Sequence, residues 1–313
     1  MTSLSFDNTL LLSLAGLYLI LVVASVVILI LKKIKPDQDF SELSKRVKSW
    51  WVLVTIFTLA MALSRNVSLG FFALISFLAL KEYFSIIPTR RADRRVLFWA
   101  YLSIPLQYYW VAQEWYGMFI IFVPVYMFLY LPMRMVLIGE TRNFLQAAGT
   151  LHWGLMMLVF SISHVAYLLV LPAKDGFSAG GPGLVLFLVF LTQFNDVAQY
   201  IWGKLLGKTR IIPKVSPNKT RAGLIGGVLT TTALAVLLAP LLTPLSLPLS
   251  VAAGLLISVA GFIGDVTISA LKRDLGVKDS GTLLPGHGGV LDRVDSLTYT
   301  APLFFHFIYY LHY

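Results

Sequence analysis

About ten stretches of this chain are apolar enough, and close enough to twenty residues long, to cross a bilayer as helices, and they leave little room for a soluble fold. They run over residues 9–31, 50–64, 68–88, 96–112, 117–135, 149–171, 182–206, 222–243, 247–271 and 297–313. With 58% of 313 residues hydrophobic and only 13% charged, the composition is that of a polytopic membrane protein. The expected fold is all-α with about ten transmembrane helices. Residues 1–148 form an N-terminal set of membrane helices, and residues 149–313 a C-terminal set that carries the polar chemistry.

The 25 Lys and Arg residues are distributed unevenly among the connectors. Those after the odd-numbered stretches hold Lys32, Lys33, Lys35, Lys45, Arg46 and Lys48, then Arg90, Arg91, Arg94 and Arg95, then Arg142, then the run from Lys204 to Arg221, then Lys272 to Arg293. Those after the even-numbered stretches hold little beyond Arg65 and Lys174. Basic connectors stay cytoplasmic, so both termini are expected outside and the polar segments inside, in a cell inner membrane. The net charge of +10 belongs to the inner connectors and suits an anionic leaflet and phosphorylated substrates rather than nucleic acid. Asp7 ahead of the first stretch, with Lys32 and Lys33 behind it, gives the pattern of an uncleaved anchor. The polar run from Lys35 to Lys48 reads as a short interfacial helix or a solvated connector. The absence of cysteine excludes disulfides, thiolate metal sites and cysteine nucleophiles.

Against this apolar background the segment Asp265–Asp295 is densely ionic, holding five of the 15 acids. Carboxylates spaced by glycines, with Lys272, Arg273, Lys278 and Arg293 interleaved, suit a divalent cation and a polyphosphate: acids bind the metal, while cations and backbone amides hold phosphate oxygens. Asp265, Ser269 and Lys272 stand at i, i+4 and i+7 on one helical face. Asp292 and Asp295 flank Arg293 at what reads as the start of the last helix. Glycines 286, 288 and 289 surround His287 and permit close approach of a ligand. Asp265 and Asp292 are the expected metal ligands; Asp295 reads equally as a cap or as a partner of Arg293.

Two polar features precede this segment. Thr192, Gln193, Asn195 and Asp196 interrupt the seventh stretch, and an intramembrane carboxylate usually faces a cavity. Asp196, Gln199, Tyr200 and Gly203 share one stripe at helical spacing. The connector from Gly203 to Gly227 packs basic residues around Ser216-Pro217-Asn218-Lys219-Thr220 and then opens a helix through glycines, a pattern that offers hydroxyls, cations and N–H groups to an anion or simply obeys the positive-inside rule.

The pattern S-x-L-K-R-x4-K-D-x-G-x2-L-P-x-H-G-G-V-x-D-R-V-D, from Ser269 to Asp295, resembles the signature of phosphatidate cytidylyltransferases. Ser216-Pro217-x-Lys219-Thr220-x2-Gly223-x2-Gly226-Gly227 resembles a second block of that family, and Asn195-Asp196 with the following G-K-x2-G-K resembles a third. The resemblance implies conversion of CTP and phosphatidic acid to CDP-diacylglycerol and pyrophosphate, with Mg2+ required and K+ as a second ion, and a homodimer as one expected assembly. It assigns Asp265 and Asp292 to the paired metals. Ser216, Lys219 and Thr220 fall to phosphate contact, and Lys272, Arg273 and Lys278 to charge balance. The catalytic set is Asp265, Asp292, Lys272 and His287; the substrate-binding set adds Asp196, Ser269, Asp279, Gly288, Gly289, Arg293 and Asp295.

Two positions depart from the usual family pattern. Arg221-Ala222 replaces Trp-Glu, and Ile268 stands where a Glu is common. A CTP-dependent enzyme for another lipid phosphate is therefore one alternative. An anion transporter built around Asp196 is another, although the ionic C-terminal segment has no purpose in it.

Overall fold

A computed structural model describes residues 8–35, 38–172, 177, 179–281 and 288–313. The apolar stretches form α1 (Asn8–Ile34), α2 (Ser41–Leu63), α3 (Arg65–Ile86), α4 (Arg94–Ala112), α5 (Tyr116–Val136), α6 (Phe144–Leu168), α7 (Gly180–Leu206), α8 (Arg221–Leu242) and α9 (Leu247–Asp274). A one-turn helix α10 (Leu291–Val294) then leads into α11 (Leu297–His312). Eight of these, α1 to α3 and α5 to α9, are long and apolar enough to cross a membrane. The other two expected spans form helices that fall short of that standard: α4 opens on Arg94 and Arg95 and carries Gln107 among its aromatics, and α11 has 16 residues. The chain is a multi-pass membrane protein of all-α type.

Local chemistry accounts for the boundaries. Ser64, in extended conformation between α2 and α3, caps α3 by accepting the Val67 N–H at 3.3 Å. Pro248 sits in the first turn of α9, where its missing N–H costs nothing. α5 widens into a π-helical stretch over Phe122–Met127, around Pro124, whose ring removes one donor from the ladder. The polar run before Trp50 is no separate interfacial helix, because Ser41–Lys48 forms the first turns of α2 and continues into its apolar part without a break.

The basic connector after α7 contains a small antiparallel hairpin, β1 (Arg210–Ile212) and β2 (Ser216–Thr220), with Arg210 opposite Thr220 and Ile212 opposite Ser216. β2 runs directly into α8. α8 packs along both α7 and α9, and α11 lies against α9 and α6. The α7–α8 contact is close because α8 opens on glycines: a Cβ on Gly223 would stand 2.6 Å from the Gln199 carbonyl oxygen. α1, by contrast, leaves Leu12, Leu19, Leu29 and Ile34 more than half exposed, as a helix with lipid for a neighbour should.

Candidate functional site

Two clusters of paired charge lie where α7, the hairpin, α9 and the α10 segment meet. The first centres on Lys219, carried on β2 and 18% exposed along its side chain. Its Nζ pairs with Asp265 Oδ2 at 2.5 Å and donates to Gln199 Oε1 at 3.1 Å. Ser269, one turn on from Asp265, donates to Asp265 Oδ1 at 3.3 Å, as the i, i+4 spacing predicts. Asp196 on α7 accepts the Ser296 hydroxyl at 3.0 Å through Oδ2, while its Oδ1 is buried with no hydrogen-bond partner. Asp295 is buried and accepts the Ser296 N–H at 2.7 Å. Burial opposes charge on Lys219, yet Asp265 and then Asp196 hold its ammonium above the ordinary range. Burial, and then repulsion from Asp265 and Asp196, lifts Asp295 well above the usual carboxylate range. Three carboxylates thus crowd one ammonium, and an orphaned carboxylate oxygen among them is costly unless a cation comes to it.

The second cluster centres on Asp292 in α10. Its Oδ1 accepts Lys272 Nζ at 2.7 Å. Its Oδ2 accepts the Ser280 N–H at 2.9 Å, the Ser280 hydroxyl at 3.0 Å and the Gly289 N–H at 3.2 Å. Burial works against ionisation here, but Lys272 and the two backbone amides outweigh it and hold the carboxyl below its usual range. Gly288 has φ of +79°, and a Cβ there would lie 2.7 Å from Asp292 Oδ2, so only glycine fits.

Between and beside these clusters lies a groove of about 1000 Å³, lined by Asp196, Asp292, Arg293, Asp295, Gly288, Lys278 and Asp279 on one side and by Glu42, Arg46 and Trp50 of α2 on the other. It meets a smaller apolar pocket of about 180 Å³ among Leu17, Val54, Phe57, Phe71, Ile75 and Phe190. Trp50, Gln193 and Arg293 line both, so the apolar pocket adjoins the carboxylate-lined groove.

The remaining expected residues are placed as follows. Thr220 caps α8, accepting the Gly223 N–H at 3.1 Å, so the glycines of that helix start serve capping and tight packing. Ser216 begins β2 opposite Ile212. Arg273 is exposed and turns to the hairpin, donating to the Val215 carbonyl at 3.2 Å. Lys278 and Asp279 are exposed on the groove rim. The Arg293 carbonyl accepts from Gln193 at 3.1 Å. The stripe on α7 divides: Gln199 is buried and Asp196 partly so, while Tyr200 is 62% exposed and lines the outer groove. Ile268 is fully buried in the packing of α9. His287 lies outside the described residues.

One residue of the site escaped the sequence reading. Glu82, near the end of α3, accepts the Val290 and Leu291 N–H groups, each at 2.9 Å, and the Ser280 hydroxyl at 3.1 Å. Its signal was an acid inside the apolar run 68–88, the same signal that marked Asp196.

Among the described residues no group of three or more His, Cys, Asp or Glu side chains is arranged to hold a metal by itself. A Mg2+ ion here would need water and phosphate oxygens beside one or two of these carboxylates. The free Oδ1 of Asp196, beside Asp265 and Asp295, is the donor such an ion would find.

The sequence profile of the cytidylyltransferase family matches residues 44–311, nearly the whole chain. The chain belongs to the cytidylyltransferase family. It is thereby a nucleotidyltransferase of the cytidylyl-transferring kind. It is 46% identical over 298 residues to the uncharacterized protein YnbB of Escherichia coli K12, covering 95% of this chain and 98% of that one. It is 41% identical over 133 residues to the phosphatidate cytidylyltransferase of Haemophilus influenzae, and 47% identical over 114 residues to that of Synechocystis. Those two alignments cover 41% and 36% of this chain, and 46% and 39% of the relatives.

Proposed function

We propose that this cytidylyltransferase moves the cytidylyl group of CTP onto a phosphatidate-class lipid, giving CDP-diacylglycerol and pyrophosphate. The observation that carries the lipid half of this reading is the adjacency of the groove lined by Asp196, Asp292, Asp295 and Arg293 to the apolar pocket between α1, α2, α3 and α7, with Trp50, Gln193 and Arg293 shared by both. A lipid phosphate lying across Trp50, Gln193 and Arg293 would keep an acyl chain among Val54, Phe57, Phe71 and Phe190 while its headgroup met the acids. The apolar pocket has no charge beyond Arg293, whereas the groove brings acids and basic residues together beside Leu43, Val47, Val197 and Ile201.

In the reaction a phosphate oxygen of the lipid attacks the α-phosphorus of CTP in line. The new O–P bond forms as the bond to the β-phosphate oxygen breaks, and pyrophosphate leaves with the electron pair. The phosphate monoester is already anionic at neutral pH, so no base is needed to prepare it. Lys219 and Lys272 would exchange their carboxylate partners, Asp265 and Asp292, for triphosphate oxygens. Arg293, which lines the groove, would meet the lipid phosphate. Asp265, with Asp196 and Asp295 beside it, and Asp292 in the second cluster would hold Mg2+, with K+ as a second ion. When bound, these ions neutralise charge on non-bridging and leaving oxygens. The basic connectors favour a site on the cytoplasmic side, where CTP is found, and an inner membrane would provide that side.

Purified protein in nanodiscs, given labelled CTP, Mg2+ and a panel of lipid phosphates, should release pyrophosphate and form a CDP-lipid, fastest with phosphatidate. Asp265→Asn and Asp292→Asn should each lower turnover by at least about a hundredfold while the protein stays folded. Near-normal rates in either variant would remove the metal assignment, and turnover only on a different lipid phosphate would replace phosphatidate as the substrate.

A further inference from the structure

We infer that Glu82 of α3 is a positioning residue for Asp292, so that the N-terminal helices complete the catalytic loop rather than merely surround it. A carboxylate on a membrane helix is expensive to bury and is found where partners compensate it. Among the described residues the donors to the Glu82 carboxylate come from the far end of the chain: Oε1 accepts Val290 N–H, and Oε2 accepts Leu291 N–H and the Ser280 hydroxyl. The same Ser280 hydroxyl lies 3.0 Å from Asp292 Oδ2, and the Gly289 N–H donates to that oxygen. Three consecutive amides, 289 to 291, are therefore divided between two carboxylates. A hydroxyl has one proton, so Glu82 and Asp292 share it, and neither can turn without disturbing the other.

The backbone is shaped around this arrangement. Side chains are absent at Gly281 and Gly289, where a Cβ would press on the Glu82 carboxylate; at Gly281 it would stand 3.0 Å from Oε1. With both its oxygens engaged along the loop, Glu82 fixes the start of α10, and that fixes the direction in which Asp292 Oδ1 points, toward Lys272. Among the described residues the Glu82 carboxylate bonds to Ser280, Val290 and Leu291 and not to the Lys219 cluster. Its effect on chemistry must pass through Asp292.

The test uses the full-length protein with Glu82→Gln, which keeps the volume but replaces one acceptor by an amide that cannot accept an N–H. Hydrogen exchange followed by mass spectrometry should show the 288–296 segment exchanging at least about tenfold faster, with α7 and α8 unchanged. In the transfer assay kcat should fall roughly 10- to 100-fold, the scale for partners that orient a ligating side chain. KM for the lipid should move less than about threefold, and the rate is normalised to the folded fraction from size-exclusion chromatography, because loss of folded protein alone would also lower apparent kcat at constant KM. Ser280→Ala, which spares the two amide bonds, should lower kcat without faster exchange, and the double variant should lose less than the product of the single effects. Unchanged exchange in Glu82→Gln, or additive effects in the double variant, would overturn the positioning role. This inference leans on the proposed reaction for its kinetic arm only: inactive wild-type protein would sink that reaction, whereas the exchange measurement judges Glu82 on its own.

Discussion

Lysines occupy the positions where this site demands positive charge. Lys272 joins a carboxylate whose other oxygen is already saturated by Ser280 and Gly289, and both partners are largely buried, at 15% and 7% side-chain exposure. Removing one partner of such a pair strands the other in a medium that cannot solvate it. Lys272→Met should therefore cost about 3–5 kcal/mol of stability, read by denaturant unfolding in detergent, and Lys272→Arg should restore part of it. The acids of this site were legible in the sequence, since Asp265, Ser269 and Lys272 share a face and Asp292 sits in a long, specific pattern. Which lysine serves which acid was not. Lys219 and Asp265 are 46 positions apart, and only the fold of the hairpin against α9 chooses that pairing. Glu82 was less accessible still, because its partners are some 200 residues away and no local spacing relates them.

At the scale of elements, helices were the readable part. Apolar runs of bilayer length permit no other structure, and each predicted stretch is a helix here, although boundaries moved and α4 and α11 fall short of spanning criteria. The hairpin was unreadable because its strands have three and five residues and owe their pairing to the neighbouring helices rather than to an alternating pattern. The glycines opening α8 looked like an anion cradle and instead set the distance between two helices. Gly223→Val should accordingly push α8 away from Gln199 and destabilise the protein by roughly 1–3 kcal/mol, seen as a lower thermal midpoint. Since β2 and α8 are continuous, Lys219 would move with the helix, and transfer should fall by more than the stability loss explains.

For the molecule as a whole, the charge asymmetry of the connectors makes a topological claim that the lack of cysteine renders easy to test. Gln113, between α4 and α5, and Lys278, on the groove rim, are both exposed and are expected on opposite sides of the membrane. In single-cysteine variants, an impermeant maleimide should label Gln113→Cys in intact spheroplasts and Lys278→Cys only in inverted vesicles. Labelling of both from one side would refute the orientation.

α3 reaches both ends of the proposed reaction. Phe71 and Ile75 line the apolar pocket and Glu82 lies seven residues beyond Ile75, on the same stripe and roughly 10 Å along a rigid rod. Whatever seats itself against those two side chains leans on the lever whose tip grips the loop of Asp292. On the proposed reaction, the hydrocarbon part of a substrate would be coupled through α3 to phosphoryl chemistry it never touches, and a headgroup offered without its tail should be turned over more slowly.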